Sequence, residues 1–211
     1  MGIIAPTQTK KMEFELVPNG THIATCFSMI HIGTIEQEYM GEKKLANKVR
    51  LAFEVPAEMR NYNGVELPMS ISKEYTLSMY EMSNLRKDLE SWRGQAFTDV
   101  EAETFDITKL LGISCMISVI KKVSKLGNDY AVISTISPLM KGTPAPEQIN
   151  QPFQFNYNDN FDTDWLDNQC TNYLREKIVS SAEYKSKKQE GTITAIEEGF
   201  DHKGVSDDLP F

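Results

Sequence analysis

The chain has 211 residues, of which 40% are hydrophobic and 25% charged, and its formal net charge is −8 at pH 7. This length and composition predict a globular protein, either one medium-sized domain with appendages or two small domains. No segment approaches the roughly 18 apolar residues of a membrane-spanning helix, and the first residues lack a basic region followed by an apolar run, so we expect a soluble, cytoplasmic protein.

The negative charge is concentrated in the last third of the chain. Residues 1–142 contain 16 Lys and Arg and 17 Asp and Glu, whereas residues 143–211 contain 6 and 13. Because ionic screening acts over about 8 Å, a nearly neutral body can present a basic face despite a remote acidic segment. The acidic net charge therefore does not exclude nucleic acid as a partner.

Three strands are predicted in the first half of the body. Residues 21–33 are rich in Ile, Thr and aromatic residues and end at a glycine, as a first strand and its turn would. In residues 47–56 apolar side chains alternate with Lys and Arg until Pro56, which predicts a half-buried second strand. Residues 57–68 are a predicted loop with an Asn-Gly turn signal, and alternation resumes in a third strand at 69–79.

The hydrophobic period changes to that of a helix after the third strand. Over residues 83–94, "SNLRKDLESWRG", apolar residues recur at helical spacing. Ser83 or Asn84 is a suitable N-terminal cap, and Gly94 is a typical C-terminal stop. We therefore predict one helix in this segment.

Two more apolar runs complete the body. They cover residues 112–123 and 129–139, and the "SKLGN" between them has a Gly-Asn pair typical of a hairpin. Three strands, a helix and two strands is the element order of the OB-fold, a small Greek-key barrel whose second and third strands commonly bind oligonucleotides. The sequence thus predicts a mainly β fold, a five-stranded OB-fold barrel (β-β-β-α-β-β), as a nucleic-acid-binding domain over residues 1–142.

Three segments are predicted after the barrel. Residues 143–160 are a Pro-rich linker, and residues 161–185 place aromatic and aliphatic side chains on one stripe, as an amphipathic helix does. Residues 186–211 are mostly polar, which predicts a flexible acidic tail. The apolar stripe of the helix is expected to pack either on the barrel or on another subunit, which leaves a homo-oligomer open.

No motif of an enzyme or of a cofactor site is found in the sequence. There is no Gly-rich phosphate loop, no HExxH and no EF-hand pattern. The histidines His22, His31 and His202 are few and far apart, and the three cysteines lack metal-ligand spacing. We therefore expect no catalytic residues, no cofactor and no metal.

Basic residues interleaved with aromatic ones run through the predicted barrel, and these types can track a phosphate backbone while stacking bases. The candidates are Lys43, Lys44, Lys48, Arg50, Lys73, Tyr75, Arg86, Lys87, Trp92, Arg93, Lys121, Lys122, Lys125 and Tyr130. Lys48 and Arg50 are placed best, because they lie on the polar face of a strand whose other face is apolar. Trp92 and Tyr75 also fit core positions, and the charges of the predicted helix also fit a solvated face.

The chain ends on "SDDLPF". Together with an OB-like body and an acidic tail, Asp207, Asp208, Leu209, Pro210 and Phe211 resemble the C-terminal tip of bacterial and phage single-stranded DNA-binding proteins, several Asp followed by Ile-Pro-Phe or Leu-Pro-Phe. In that family the tip recruits replication, recombination and repair proteins. The resemblance implies that Phe211 fills an apolar pocket of a partner while the two carboxylates lie on a basic rim.

The body is also similar to phage proteins of replication regions over most of residues 20–185, through segments such as "FDITKLLG" and "NYLREKIVSSAEY". It departs from the bacterial proteins in its barrel sequence and in an amphipathic helix that replaces their Gly-, Gln- and Pro-rich linker. These departures leave open whether the chain shares the tetrameric state of the bacterial family.

The resemblances imply a non-enzymatic, phage-encoded protein that acts in the bacterial host cell and binds single-stranded DNA without sequence preference. Its tail would recruit replication, recombination or repair proteins. Two other classes stay open. One is an adaptor that uses the barrel and helix mainly for protein contacts, and the other is a metal-dependent nuclease, which needs at least three converging carboxylates.

Overall fold

The computed structural model of the chain describes residues 15–39, 41–62, 64–159 and 161–200. Its main element is an antiparallel sheet of β1 (Gly20–Tyr39), β2 (Glu42–Tyr62), β3 (Val65–Thr76), β4 (Ser114–Val123) and β5 (Asp129–Ser137), in the order β3-β2-β1-β4-β5. The sheet curls into a half-barrel, so that the edge strands β3 and β5 approach each other. The predicted mainly β class is confirmed, as is a helix between the third and fourth strands, α1 (Asn84–Arg93).

The concave face of the half-barrel holds the main hydrophobic core. Val49, Leu51, Phe53 and Val55 alternate along β2 and are at most 1% exposed, as their spacing predicts. The ring of Trp92 packs against Phe53 at a centroid distance of 5.6 Å. α1 therefore covers the core on the side where β3 and β5 approach each other.

The ends of α1 follow the signals in the sequence. The hydroxyl of Ser83 accepts a hydrogen bond from the backbone N–H of Arg86 at 3.2 Å, as an N-cap does. Gly94 ends the helix in the left-handed region with a φ of +73°, where a side chain would be strained. Two short elements follow, α2 (Asp99–Thr104) and a 3-10 helix (Ile107–Leu110).

The prediction of a loop at residues 57–68 is wrong, because β2 and β3 stay paired through most of this segment and form a hairpin. β2 continues past Pro56, where the sequence pattern placed its end. The register between the two strands shifts between Val55 and Met59. An irregularity of this kind leaves a residue out of the hydrogen-bonded ladder, so a proline without an N–H is tolerated there.

The C-terminal third differs from its prediction in three places. The linker at 143–160 contains a short strand, β6 (Phe153–Phe155), which pairs in parallel with β1. The single helix predicted at 161–185 is three helices, α3 (Thr163–Asn168), α4 (Asn172–Ser180) and α5 (Ala182–Phe200). The predicted flexible tail at 186–211 is helical as far as Phe200, and its remaining residues lie outside the described part of the chain.

Ser181 accounts for the break between α4 and α5. Its hydroxyl accepts a hydrogen bond from the backbone N–H of Tyr184 at 3.1 Å, which caps the start of α5. The same hydroxyl donates to the carbonyl of Ile178 at 2.7 Å and lies 2.8 Å from the phenol oxygen of Tyr157. These buried contacts end one helix and begin the next without leaving the hydroxyl unsatisfied.

The C-terminal helices pack on the outer face of β1 in the same chain. Ile30 and Ile32 of β1 meet Phe155, Leu174 and Ile178 in a second hydrophobic core. Of the two alternatives for the apolar stripe, packing on its own barrel is the one that the structure shows.

Glu183 fastens the start of α5 to β1. Its carboxylate accepts hydrogen bonds from the backbone N–H and the hydroxyl of Thr34, at 2.6 and 2.7 Å. Gly33 lies beside this contact with a φ of +92°, and a Cβ atom there would stand 2.6 Å from the carboxylate. Only glycine permits this close approach of strand and helix.

Candidate nucleic-acid interface

Two aromatic residues of the predicted site lie in the interior. Tyr75 is 3% exposed and Trp92 is 5% exposed. The Tyr75 hydroxyl donates to Asp88 at 2.7 Å, and the indole N–H of Trp92 points to the backbone carbonyl of Ser114 at 3.4 Å. Buried rings present no face to a base, so we remove both from the candidate interface.

Arg86 has a structural position where a phosphate contact was expected. It is 7% exposed, and its guanidinium donates to the Glu90 carboxylate at 2.9 Å. It also donates to the backbone carbonyls of Met79 and Phe97, at 3.2 and 2.8 Å. These bonds satisfy a buried charge and connect α1 to the segments before and after it. We therefore also remove Arg86 from the candidate interface.

Lys73 and Arg93 are half-buried and paired with carboxylates, whereas Lys87 is exposed. The Nζ of Lys73 lies 2.6 Å from Asp88, and the guanidinium of Arg93 lies 3.0 Å from Glu101. Lys87 projects from α1 with no ion pair to any described residue. Of these three cations, Lys87 is the one most open to a phosphate.

Lys43 and Lys44 lie on the exposed end of β2, close to the turn from β1. The Nζ of Lys43 is 2.7 Å from Glu36, and the Nζ of Lys44 is 3.1 Å from Glu42. Exposed ion pairs of this kind are weak, so a phosphate can replace either carboxylate at little cost. Both lysines therefore stay in the candidate interface.

The hairpin between β4 and β5 carries the remaining candidates. Lys121, Lys122 and Lys125 are exposed, and none of them has an ion pair within the part of the chain that the structure describes. Tyr130 lies directly across the ladder from Lys122 and is 42% exposed. The hairpin thus presents three lysines without ion pairs to described residues, and one carboxylate, Asp129, beside an accessible ring.

Leu126, at the tip of this hairpin, was missed in the sequence. Its side chain is 88% exposed. The signal is visible in "SKLGN", because an apolar residue inside a hairpin turn has no strand face on which to pack. An apolar side chain next to a lysine, as Leu126 is next to Lys125, can contact the face of a base while the lysine holds a phosphate.

Lys48 and Arg50 lie on the outer face of β2, beside the C-terminal helices. The Nζ of Lys48 donates to the hydroxyl of Thr76 at 3.0 Å, and Arg50 is 4.0 Å from Glu74. Glu74 also accepts two hydrogen bonds from Lys177 of α4, at 2.7 and 2.9 Å. The two predicted cations therefore belong to a surface that β2, β3 and α4 build together.

Lys177 and Tyr173 are further candidates that the sequence reading missed. They are four residues apart on α4 and thus share one side of it, away from the buried Leu174 and Ile178. The hydrophobic pattern places Tyr173 on the apolar stripe of the predicted helix, which is wrong, because Tyr173 is 61% exposed. Only the tertiary packing shows that the side with Lys177 and Tyr173 lies next to Glu74.

Among the described residues, no three His, Cys, Asp or Glu side chains are grouped so that they could hold a metal ion. No helix in the described ranges is long and apolar enough to cross a membrane. No protein-family model matches the chain, and no curated protein is significantly similar to it.

Proposed function

We propose that this chain binds single-stranded DNA without sequence specificity and that its half-barrel is an OB-fold. Support for the fold comes from the strand order β3-β2-β1-β4-β5, the approach of β3 to β5, and the position of α1 between β3 and β4. A fold alone does not define a function, so the proposed DNA binding has to be argued from the residues at the surface.

The observation that supports DNA binding best is the composition of the β4–β5 hairpin surface. Lys121, Lys122 and Lys125 have no carboxylate partner among the described residues, unlike most cations of β3 and α1. A phosphate backbone supplies the missing anions, and Tyr130 and Leu126 offer apolar surface to bases. None of these contacts depends on base identity, which is what sequence-independent binding requires.

The proposed setting is replication or recombination of phage DNA in the bacterial cytoplasm, without enzymatic activity of the chain itself. Its support is the resemblance of Asp207, Asp208, Leu209, Pro210 and Phe211 to the recruiting tip of single-stranded DNA-binding proteins. These five residues lie outside the described part of the chain. In this proposal they recruit partner proteins while the barrel holds the DNA.

Fluorescence anisotropy with labelled oligo-dT, a duplex and an RNA strand of equal length, at two salt concentrations, tests the proposal. We expect oligo-dT to bind most tightly, with an affinity that falls at a log–log slope of about −0.7 for each phosphate contacted. An affinity for oligo-dT that is absent, or that does not respond to salt, would contradict it.

A replication or recombination adaptor is the second candidate. The observation that favours it is an apolar cavity of about 430 Å³ beside α1, lined in part by Leu89, Phe97, Leu110, Ile113 and Leu139. A cavity of this size can receive apolar side chains of a partner protein. Failure to bind oligo-dT, together with a binding partner that the substitution Ile113→Glu releases, would favour the adaptor.

A further inference from the structure

A cationic surface forms where α4 lies beside β2 and β3. We name it the strand–helix patch, and it consists of Lys48, Arg50, Glu74, Tyr173 and Lys177. Neither the sheet nor the helix would form it alone, because both contribute cations.

Two cations of the patch, Arg50 and Lys177, pair with the same carboxylate, and Lys48 forms an ion pair with no described residue. The Nζ of Lys177 is within 2.9 Å of both Glu74 oxygens, and Arg50 is 4.0 Å from the same group. No second carboxylate forms an ion pair with Lys48, Arg50 or Lys177 among the described residues. The nearby Arg175 brings its own partner, Asp167, at 2.7 Å. Positive charge is therefore in excess across the patch.

The cations of the patch are partly withdrawn from water. The side chains of Arg50 and Lys177 are 28% and 23% exposed. Burial lowers the pKa of Lys48, Glu74 acts in the opposite direction, and the charge of Lys177 adds to the lowering. Burial also acts to lower the pKa of Lys177, but its hydrogen bonds to Glu74 and Tyr173 outweigh burial and raise that pKa. Lys48 is therefore the patch cation with the least compensation, and an external anion would stabilise its charged form.

Tyr173 provides an aromatic surface at the edge of the patch. Its side chain is 61% exposed, and its ring centroid is 4.4 Å from the Nζ of Lys177. The ammonium group covers part of the ring through a cation–π contact, and most of the side chain stays open to solvent. A base that stacks here would have its phosphate close to the excess positive charge.

We propose that the strand–helix patch holds a phosphate of a nucleic-acid single strand while Tyr173 stacks on an adjoining base. The proposal rests on the function proposed above and adds to it a contact surface that exists only because α4 packs on the barrel. It assigns the phosphate to Lys48, Arg50 and Lys177. Glu74 then acts as a resident anion that competes with the phosphate.

Four substitutions test this assignment by oligo-dT titration. Lys177→Gln should weaken binding roughly fivefold at low salt and reduce the magnitude of the salt slope by about 0.7. Tyr173→Ala should weaken it roughly tenfold, whereas Tyr173→Phe should bind like wild type because the ring is kept. Glu74→Gln should tighten binding several-fold, and a merely structural role of Glu74 predicts no such gain. Thermal unfolding shows whether each variant is folded.

Lys141→Gln is the matched control, since this exposed lysine lies outside both the hairpin and the patch. If Lys177→Gln, Tyr173→Ala and Glu74→Gln all bind oligo-dT as the control does, the patch proposal is overturned while DNA binding by the chain still stands.

A second readout separates the patch from the DNA-binding function. Lysines labelled with ¹³C-methyl groups are titrated with inorganic pyrophosphate and followed by NMR, with Lys48→Gln and Lys177→Gln to assign the two signals. We expect both signals to shift, because the bound anion changes the electric field at each labelled amine. If wild type fails to bind oligo-dT but both signals shift, the patch is an anion site and the DNA-binding function is wrong. If neither signal shifts, the patch proposal fails.

Discussion

Arg86 of α1 and the lysines of the β4–β5 hairpin have the same charge and opposite surroundings. Arg86 on α1 is 7% exposed and donates three hydrogen bonds to the protein around it. Lys121, Lys122 and Lys125 on the hairpin are exposed and lack an ion pair within the described ranges. The guanidinium of Arg86 holds parts of the fold together, whereas the hairpin lysines are available to an external anion.

The difference shows that a basic residue indicates a nucleic-acid contact only where the protein does not already satisfy it. In sequence, Arg86 and Lys87 are neighbours of equal charge. In space, the helix turns Arg86 toward the interior, where Glu90 and two carbonyls receive it, and turns Lys87 toward solvent. Partner atoms, which come from distant parts of the chain, decide between the two roles.

Replacing Arg86 has the largest expected effect. Arg86→Met removes the partner of a carboxylate and of two backbone carbonyls that are partly withdrawn from water, and we expect it to lower the free energy of unfolding by about 3–5 kcal/mol. Lys87→Met is the control on the same helix and should leave that free energy almost unchanged. Urea unfolding of both variants measures the difference. Similar stabilities of the two variants would contradict the contrast between buried and free cations.

Substitution of the hairpin lysines should lower the affinity for DNA and leave stability unchanged, whereas Arg86→Met should lower stability. Replacing Lys121, Lys122 and Lys125 together by Gln should lower oligo-dT affinity by at least on the order of tenfold at low salt and reduce the magnitude of the salt slope by about 2. Stability should not change, because these side chains make no ion pair with any described residue. Lys109→Gln with Lys141→Gln is the control for a general loss of charge. An equal loss of affinity per charge removed, between this double variant and the triple variant, would show that the hairpin has no special role.

Local signals in the sequence sufficed for elements that depend on their own residues. The hydroxyl of Ser83 and the left-handed Gly94 define α1 by themselves, and the apolar alternation from Val49 to Val55 defines the buried face of β2. Elements that depend on distant residues were missed. β6 has only three residues and exists because β1 offers it a partner, so no periodicity could reveal it.

The same distinction applies to the candidate site. The hairpin lysines could be predicted as surface cations because charged side chains around a turn are exposed to solvent. Tyr75 was misjudged, because alternation gives the face of the strand but not that Asp88 of α1 receives its hydroxyl. Lys177 was missed because its pairing with Glu74 joins residues 103 positions apart.

Glu183 is intermediate between the buried Arg86 and the exposed hairpin lysines. It is a partly exposed charge that accepts hydrogen bonds from neutral donors of Thr34. Burial acts to raise the pKa of this carboxyl group, but the hydrogen bonds from Thr34 outweigh it and hold the pKa below its ordinary value. A carboxylate with a lowered pKa stabilises the folded state at neutral pH, and this contribution is lost as the pH falls through the acid range below the ordinary value.

Glu183→Gln should therefore lower the free energy of unfolding by about 1 kcal/mol at pH 7, since a charged acceptor is exchanged for a neutral one at a partly screened site. The difference in the free energy of unfolding between wild type and variant should become smaller as the pH is lowered, because the wild-type side chain then becomes neutral as well. Urea unfolding at a series of pH values measures it, with Glu190→Gln, farther along α5, as the control for removing a carboxylate from this helix. A gap that stays constant with pH would mean that the ionised form of Glu183 contributes nothing to holding α5 on β1, and that shape alone, including the close approach at Gly33, fixes the helix there.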